Sequence, residues 1–99
     1  MSTMGKGART RAEILAVGLQ VWRERGMERV TCTHVASLVG VTHATCLYHF
    51  KTTEGLRNAI AAEAVRQRDS IIVPQLITTN HIAVMGMSDA MKRIYLANL

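Results

Sequence analysis

Apolar positions recur at helical spacing along this chain. Ile14, Leu15, Gly18, Leu19 and Trp22 form one stripe, widened by Val17 and Val21. Thr10-Arg11-Ala12-Glu13, just ahead of it, has the spacing of a capping box. There the threonine oxygen accepts from the third backbone N–H and the glutamate reaches back. Gly26 supplies the end of this first helix, and Trp22 is assigned to the core. Met27–Val30 reads as a connector. A short second helix, apolar at Val35, Ala36 and Leu38, is capped by Thr31 or Thr33. It ends at Val39-Gly40-Val41, where Gly40 has no Cβ to oppose a left-handed backbone. Thr42 then offers a hydroxyl to the orphan N–H groups of a third helix, His43–His49. Cys46 and Phe50, four apart, face inward over Val41, whereas His43, Ala44, Leu47 and Tyr48 face outward with Thr45 at the margin.

Lys51-Thr52-Thr53-Glu54 is a connector and cap. The spacing of Leu56, Ala59, Ile60, Ala64 and Ile71 or Ile72 predicts a longer helix from about Thr53 to Val73, with Arg57, Arg66 and Arg68 in solvent. Pro74 either stops that helix or opens the next turn. Gln75–Leu99 alternates apolar clusters with breaks at Thr78–Asn80 and Gly86–Ser88, and Asn80 and Ser88 are placed to cap two short helices. The fold class is therefore all-α: a three-helix helix-turn-helix head over residues 1–52, then a helical region over 53–99. That region holds a longer fourth helix and one or two short C-terminal helices, within one compact domain overall.

Two short helices joined at a tight glycine corner are the plan that lays its second helix in the DNA major groove. The outward face of His43–His49 suits that use. Ala44 is small enough for the backbone to approach base edges. His43 can donate or accept a hydrogen bond there, Tyr48 can meet a base or a phosphate, and Leu47 can pack on thymine methyls. A face with Leu, Tyr and two His needs a cover, and packing under the chain's own later helices is the other way to provide it. A hydroxyl at Thr31 or Thr33, at a helix N-terminus, can also meet a phosphate. Met1–Ala8 reads as a mobile arm. It either lies along phosphates or in a minor groove, or is a terminus without a role.

Charge supports the same half of the chain. The net charge is +5, and residues 1–57 carry eight Lys/Arg against four Asp/Glu while residues 58–99 carry four against three. A basic head suits a polyanion and a near-neutral remainder suits self-association, although a basic face serving only solubility gives the same balance. At 99 residues and 48% hydrophobic content the chain folds as one small domain whose core a partner subunit can complete. No run has the length of a membrane span and no signal-peptide core follows the first basic residues, so the chain reads as cytoplasmic. Cys32 and Cys46 read as small buried residues rather than a disulfide. Cys32, His34, His43, Cys46, His49 and His81 are zinc-type ligands by residue type. Their faces scatter them and no CxxC pair exists, so no metal is expected. No phosphate loop, carboxylate pair or activated thiol marks an enzyme, and no cofactor is implied.

Residues Arg11 to about Ile60 resemble the TetR family of transcriptional repressors. The segments RAEILAVGLQVWRERG, TCTHVASLVGVT and HATCLYHFKTTEGL carry the likeness in unbroken spacing. The resemblance implies that the first three helices bind double-stranded DNA and that a homodimer places two reading helices in successive major grooves. It implies phosphate contacts from Thr31 and His49, base-facing positions at His43, Ala44, Thr45 and Tyr48, and core positions at Cys46 and Phe50. Thr42 and Lys51 complete the expected DNA-binding set. The family's Leu-Tyr pair stands one position later here, at Leu47-Tyr48. Its lysine before the fourth helix is Thr53, which moves the expected phosphate contact to Lys51. An acidic residue is common where this chain has His34.

The stretch after Val73 is short for the family's C-terminal domain, and a drug-sized pocket of roughly 300–1,000 Å³ needs several helices to wall it. No small-molecule effector is therefore expected. Met87, Met91, Ile94 and Tyr95 supply a dimer interface, or else a monomer core. The expected function is a dimeric repressor or autoregulator on a pseudo-palindromic operator. A protein-binding inhibitor or anti-repressor, acting through complexes with another regulator, is the alternative.

Overall fold

The computed structural model describes residues 5–97. Among them lie six α-helices and no strand: α1 Lys6–Arg25, α2 Cys32–Val39, α3 His43–Phe50, α4 Thr53–Arg66, α5 Ile72–Thr78 and α6 Asp89–Leu96. Short 3-10 turns occupy Met27–Arg29 and Ile82–Val84. The all-α class, the three-helix head and the later short helices are as the spacing predicts. Two compact units are present, one within Met1–Ile60 and one within Ala61–Leu99, and the division falls inside α4.

The first unit is built on the buried side chains Ile14, Leu19 and Trp22 of α1, Val35 and Ala36 of α2, Cys46 and Phe50 of α3, and Leu56 and Ile60 of α4. Each fully buried aliphatic chain stabilises by about 1.5–3 kcal/mol relative to exposure. Gly18 lets α1 approach Ile60, since a Cβ there would overlap the Ile60 Cδ1. The helix starts earlier than the sequence suggests. Gly5, extended and without a side-chain cap bond, precedes it, and Lys6–Ala8 are helical. Thr10 lies inside the helix and its hydroxyl donates back to the Lys6 carbonyl at 3.0 Å. The capping box is thus overturned: a threonine one turn in bonds its i−4 carbonyl instead. The expected arm Met1–Ala8 is corrected over Lys6–Ala8, and Met1–Met4 lie outside the described residues. At the far end Gly26, at φ 93°, closes α1 with its N–H on the Trp22 carbonyl at 2.8 Å.

Arg57, expected in solvent, instead fastens the connector after α1. Its Nε donates to the Val30 carbonyl at 2.9 Å and an Nη donates to the Glu28 carbonyl at 3.3 Å. Thr53 also reaches across the head. Its hydroxyl accepts from the Cys32 N–H at 3.0 Å, one of the orphan donors at the start of α2.

The second unit corrects the long fourth helix. α4 stops at Arg66, Arg68 takes the left-handed conformation at φ 55°, and the Asp69 N–H returns to the Ala64 carbonyl at 2.9 Å. That closure normally calls for glycine. Asp69, buried, then restarts the chain: its Oδ1 accepts from the Ile71 and Ile72 N–H groups at 2.9 and 2.8 Å. Pro74 sits in the first turn of α5, where its missing N–H costs nothing. Asn80 does not open a helix. It ends α5 in the left-handed region at φ 53°, with the His81 N–H on the Leu76 carbonyl at 2.8 Å. Ser88 does cap α6, accepting from the Met91 N–H at 3.2 Å. Ile72, Val73, Leu76 and Val84 are buried, whereas α6 contributes no buried residue.

Candidate nucleic-acid interface

The corner between α2 and α3 is made by local chemistry. Thr31, extended, accepts the His34 N–H on its hydroxyl at 3.1 Å. Gly40 stands at φ 88°, ψ 28°, and the Val41 N–H reaches back to the Ala36 carbonyl at 3.0 Å. No L residue takes that conformation without strain, so glycine fixes the angle at which α3 leaves. Thr42 then caps α3, accepting the Thr45 N–H at 3.1 Å, and its hydroxyl lies 2.9 Å from that of Thr45.

The residues of α3 differ in burial. Cys46 and Phe50 are buried, while His43, Ala44 and Tyr48 are exposed, Tyr48 at 76%. Thr45 and His49 are half-buried. Leu47, expected outward, is half-buried too and belongs to the margin. Thr42 and Lys51 are exposed at the two ends, and Thr31 is half-buried at the start of α2. Thr42, His43, Ala44, Tyr48 and Lys51 are each exposed: Ala44 and Tyr48, four apart, share the outer face of α3, with Thr42 and His43 at its start and Lys51 at its end. Thr45 and His49 flank that face and Thr31 stands at the neighbouring helix N-terminus. The Thr45 hydroxyl shares one hydrogen bond with that of Thr42.

Support for this edge comes from beneath. The Arg11 guanidinium lies over the Phe50 ring at 5.0 Å, so α1 clamps the end of α3. Tyr48 meets His49 edge to face at 5.2 Å between ring centres. A Cβ at Gly7 would touch the His49 ring at 3.9 Å, which puts the first turn of α1, with Lys6, beside the end of α3. Lys51, at φ 73° and ψ −47°, is in a conformation that lysine rarely takes. Cys46 shares a thiol hydrogen bond with Cys32, and burial first, then that bond, pushes the Cys46 thiol up to about 12. It stays protonated in the neutral range, and both cysteines are unbridged. Among the described residues no three His, Cys, Asp or Glu side chains gather as a metal site.

Two contacts at this site carry no sequence signal. Thr33, considered for a cap, places its hydroxyl 3.1 Å from the His43 Nδ1. Thr53, noted as a missing lysine, serves the start of α2. Both join residues far apart along the chain, so periodicity and capping rules are silent on them.

No described helix is long and apolar enough to cross a membrane. No solved structure matches this chain. Over 71 residues it is 31% identical to the HTH-type transcriptional repressor BepR of Brucella suis biovar 1 (strain 1330), a match covering 72% of this chain. The chain spans only 34% of that relative's length. Residues 14–60 match the sequence profile described as bacterial regulatory proteins, tetR family. That segment contains the whole of α2, the glycine corner and α3, and it is this head of the chain that matches the tetR family.

Proposed function

We propose that this chain is a sequence-specific double-stranded DNA-binding transcriptional regulator, a dimeric repressor or autoregulator that acts by occupying an operator. The observation that carries this reading is the exposed edge of α3, small at Ala44 and aromatic at Tyr48, held over a buried Cys46 and Phe50. His43, Ala44, Thr45 and Tyr48 face the bases in this proposal. Thr31, Thr42, His49 and Lys51 meet phosphates. The similarity to a protein named as a repressor supports the sign of regulation.

Selection from random duplex DNA at two salt concentrations tests it. Affinity led by phosphate contacts falls by roughly 0.9 log units per contact for each tenfold rise in salt. His43→Ala and Tyr48→Ala are each expected to relax preference at particular base pairs by about 1–3 kcal/mol. Selected sequences identical to those of the unaltered protein would remove either residue from the reading edge.

Dimerisation through α6 belongs to the same proposal. Ile94 is 61% exposed and Met91 38%, with Met87 and Tyr95 half-buried, more apolar surface than a solvated helix carries. A twofold pair matches a pseudo-palindromic site whose half-sites lie about one helical turn apart, roughly 34–36 Å, or a multiple of it. Ile94→Asp should weaken self-association by about 1.5–3 kcal/mol, the transfer value of the lost side chain. A dimer dissociation constant, measured by dilution, that Ile94→Asp leaves unchanged would place the interface elsewhere. The reading needs no small-molecule effector. Two open clefts, one of about 400 Å³ beside Val17, Val21 and His34 in the first unit and one of about 290 Å³ beside Val65, Arg68 and Met91 in the second, stand at the lower end of the roughly 300–1,000 Å³ that drug-sized ligands occupy.

A further inference from the structure

We propose that Thr33 is a positioning residue for His43: its hydroxyl fixes the imidazole as the tautomer protonated on Nε2, so His43 presents a hydrogen-bond donor to the groove. The proposal rests on the DNA-binding reading above and decides what that reading leaves open, whether His43 donates or accepts.

Thr33 is the second residue of α2 and His43 the first of α3. The Gly40 corner folds these two helix starts together, and the Thr33 Oγ1 lies 3.1 Å from the His43 Nδ1. A neutral imidazole has one proton for two nitrogens, so the bond made at one nitrogen dictates what the other offers. A helical threonine usually bonds a carbonyl three or four residues back. Among the described hydrogen bonds the Thr33 hydroxyl has no partner besides His43. With Thr33 donating to Nδ1, the ring proton sits on Nε2, which is also the intrinsically more stable tautomer of a histidine side chain. Nε2 lies across the ring from Thr33, on a side chain that is itself exposed. A donor there selects acceptors in the major groove: guanine O6 or N7, adenine N7 or thymine O4. It opposes the amino groups of adenine and cytosine.

The test uses the full chain with two readouts. In the free protein, labelled with nitrogen-15 at histidine and held near pH 8.5, above the ordinary imidazole value of about 6.5, the His43 signal should show the Nε2–H tautomer. That signal is identified by its loss in His43→Ala. Thr33→Val should let a minor Nδ1–H population appear beside Nε2–H, and Thr33→Ser should remove it. An Nδ1–H tautomer in the unaltered protein, or no change in Thr33→Val, overturns the proposal. In duplex selection, Thr33→Val should lower discrimination about fivefold at the base pair whose preference His43→Ala erases, the scale of one neutral hydrogen bond. Thr33→Ser should keep it. Added to His43→Ala, Thr33→Val should change nothing further, whereas a separate loss would show that Thr33 touches DNA itself and overturn the positioning role. If the unaltered protein selects no duplex, the DNA reading falls and the role with it. The tautomer readout tells that failure apart from a missing Thr33–His43 bond.

Discussion

Ala44→Glu is expected to weaken operator binding by at least about a hundredfold, near 2.7 kcal/mol, while the free protein melts where the unaltered protein does or slightly higher. Ala44 is exposed in the first turn of α3. A carboxylate there meets the positive end of the helix, which favours it by roughly 0.3–1 kcal/mol. Exchanging alanine for glutamate in a helix costs a fraction of that. The fold therefore gains or stays level. In the groove the same carboxylate faces the phosphates of both strands, and its bulk holds the backbone off the base edges. Fluorescence anisotropy on a selected duplex measures the first effect and thermal circular dichroism the second. Binding kept within tenfold of the unaltered protein would mean that this edge of α3 does not enter a groove.

The α2–α3 corner was readable from sequence because every device that makes it is local. Thr31, Gly40 and Thr42 act within five residues of themselves, and Cys46 and Phe50 are one helical turn apart. Where the reading failed, the deciding interaction broke a residue preference or spanned the chain. Arg68 holds a left-handed position that glycine would have announced, and the apolar spacing of Leu56, Ile60 and Ala64 runs on toward Ile71 as though α4 continued. Asp69 followed by a proline five residues on was the signal available, since an acidic cap and a first-turn proline mark a new helix together. Thr10 shows the opposite error: a sound capping sequence lies inside a helix that Gly5 had already started. The bonds Thr33–His43, Thr53–Cys32 and Arg57–Val30 join residues 10, 21 and 27 apart, beyond what spacing rules can see. Which side chains sit on the exposed edge of α3 was legible; what orients them was not.

Phe50→Ala should destabilise the protein by about 3–5 kcal/mol, the range for removing a buried aromatic ring. Phe50 is 5% exposed and closes α3. Its ring lies under the Arg11 guanidinium at 5.0 Å, a contact across to α1 worth about 0.5–1 kcal/mol. Its carbonyl accepts the Thr52 N–H at 2.8 Å, next to Lys51 in its strained conformation. Alanine leaves a void where α3 meets α1, and the strained corner then keeps only its backbone bonds. Small proteins are stable by only about 5–15 kcal/mol, so this one ring carries a large share. With about 4–8 °C of melting temperature per kcal/mol at this size, the midpoint should fall by more than ten degrees. Phe50→Leu, which keeps most of the volume, should lose under half as much. The contrast with Ala44→Glu is the informative part. Phe50 touches no base in the proposed complex, so DNA binding by Phe50→Ala should fail at 37 °C and return in large part at a temperature where the variant is folded. Ala44→Glu should fail at both. A Phe50→Ala protein that melts within two or three degrees of the unaltered chain would show that the reading helix is not anchored through this ring.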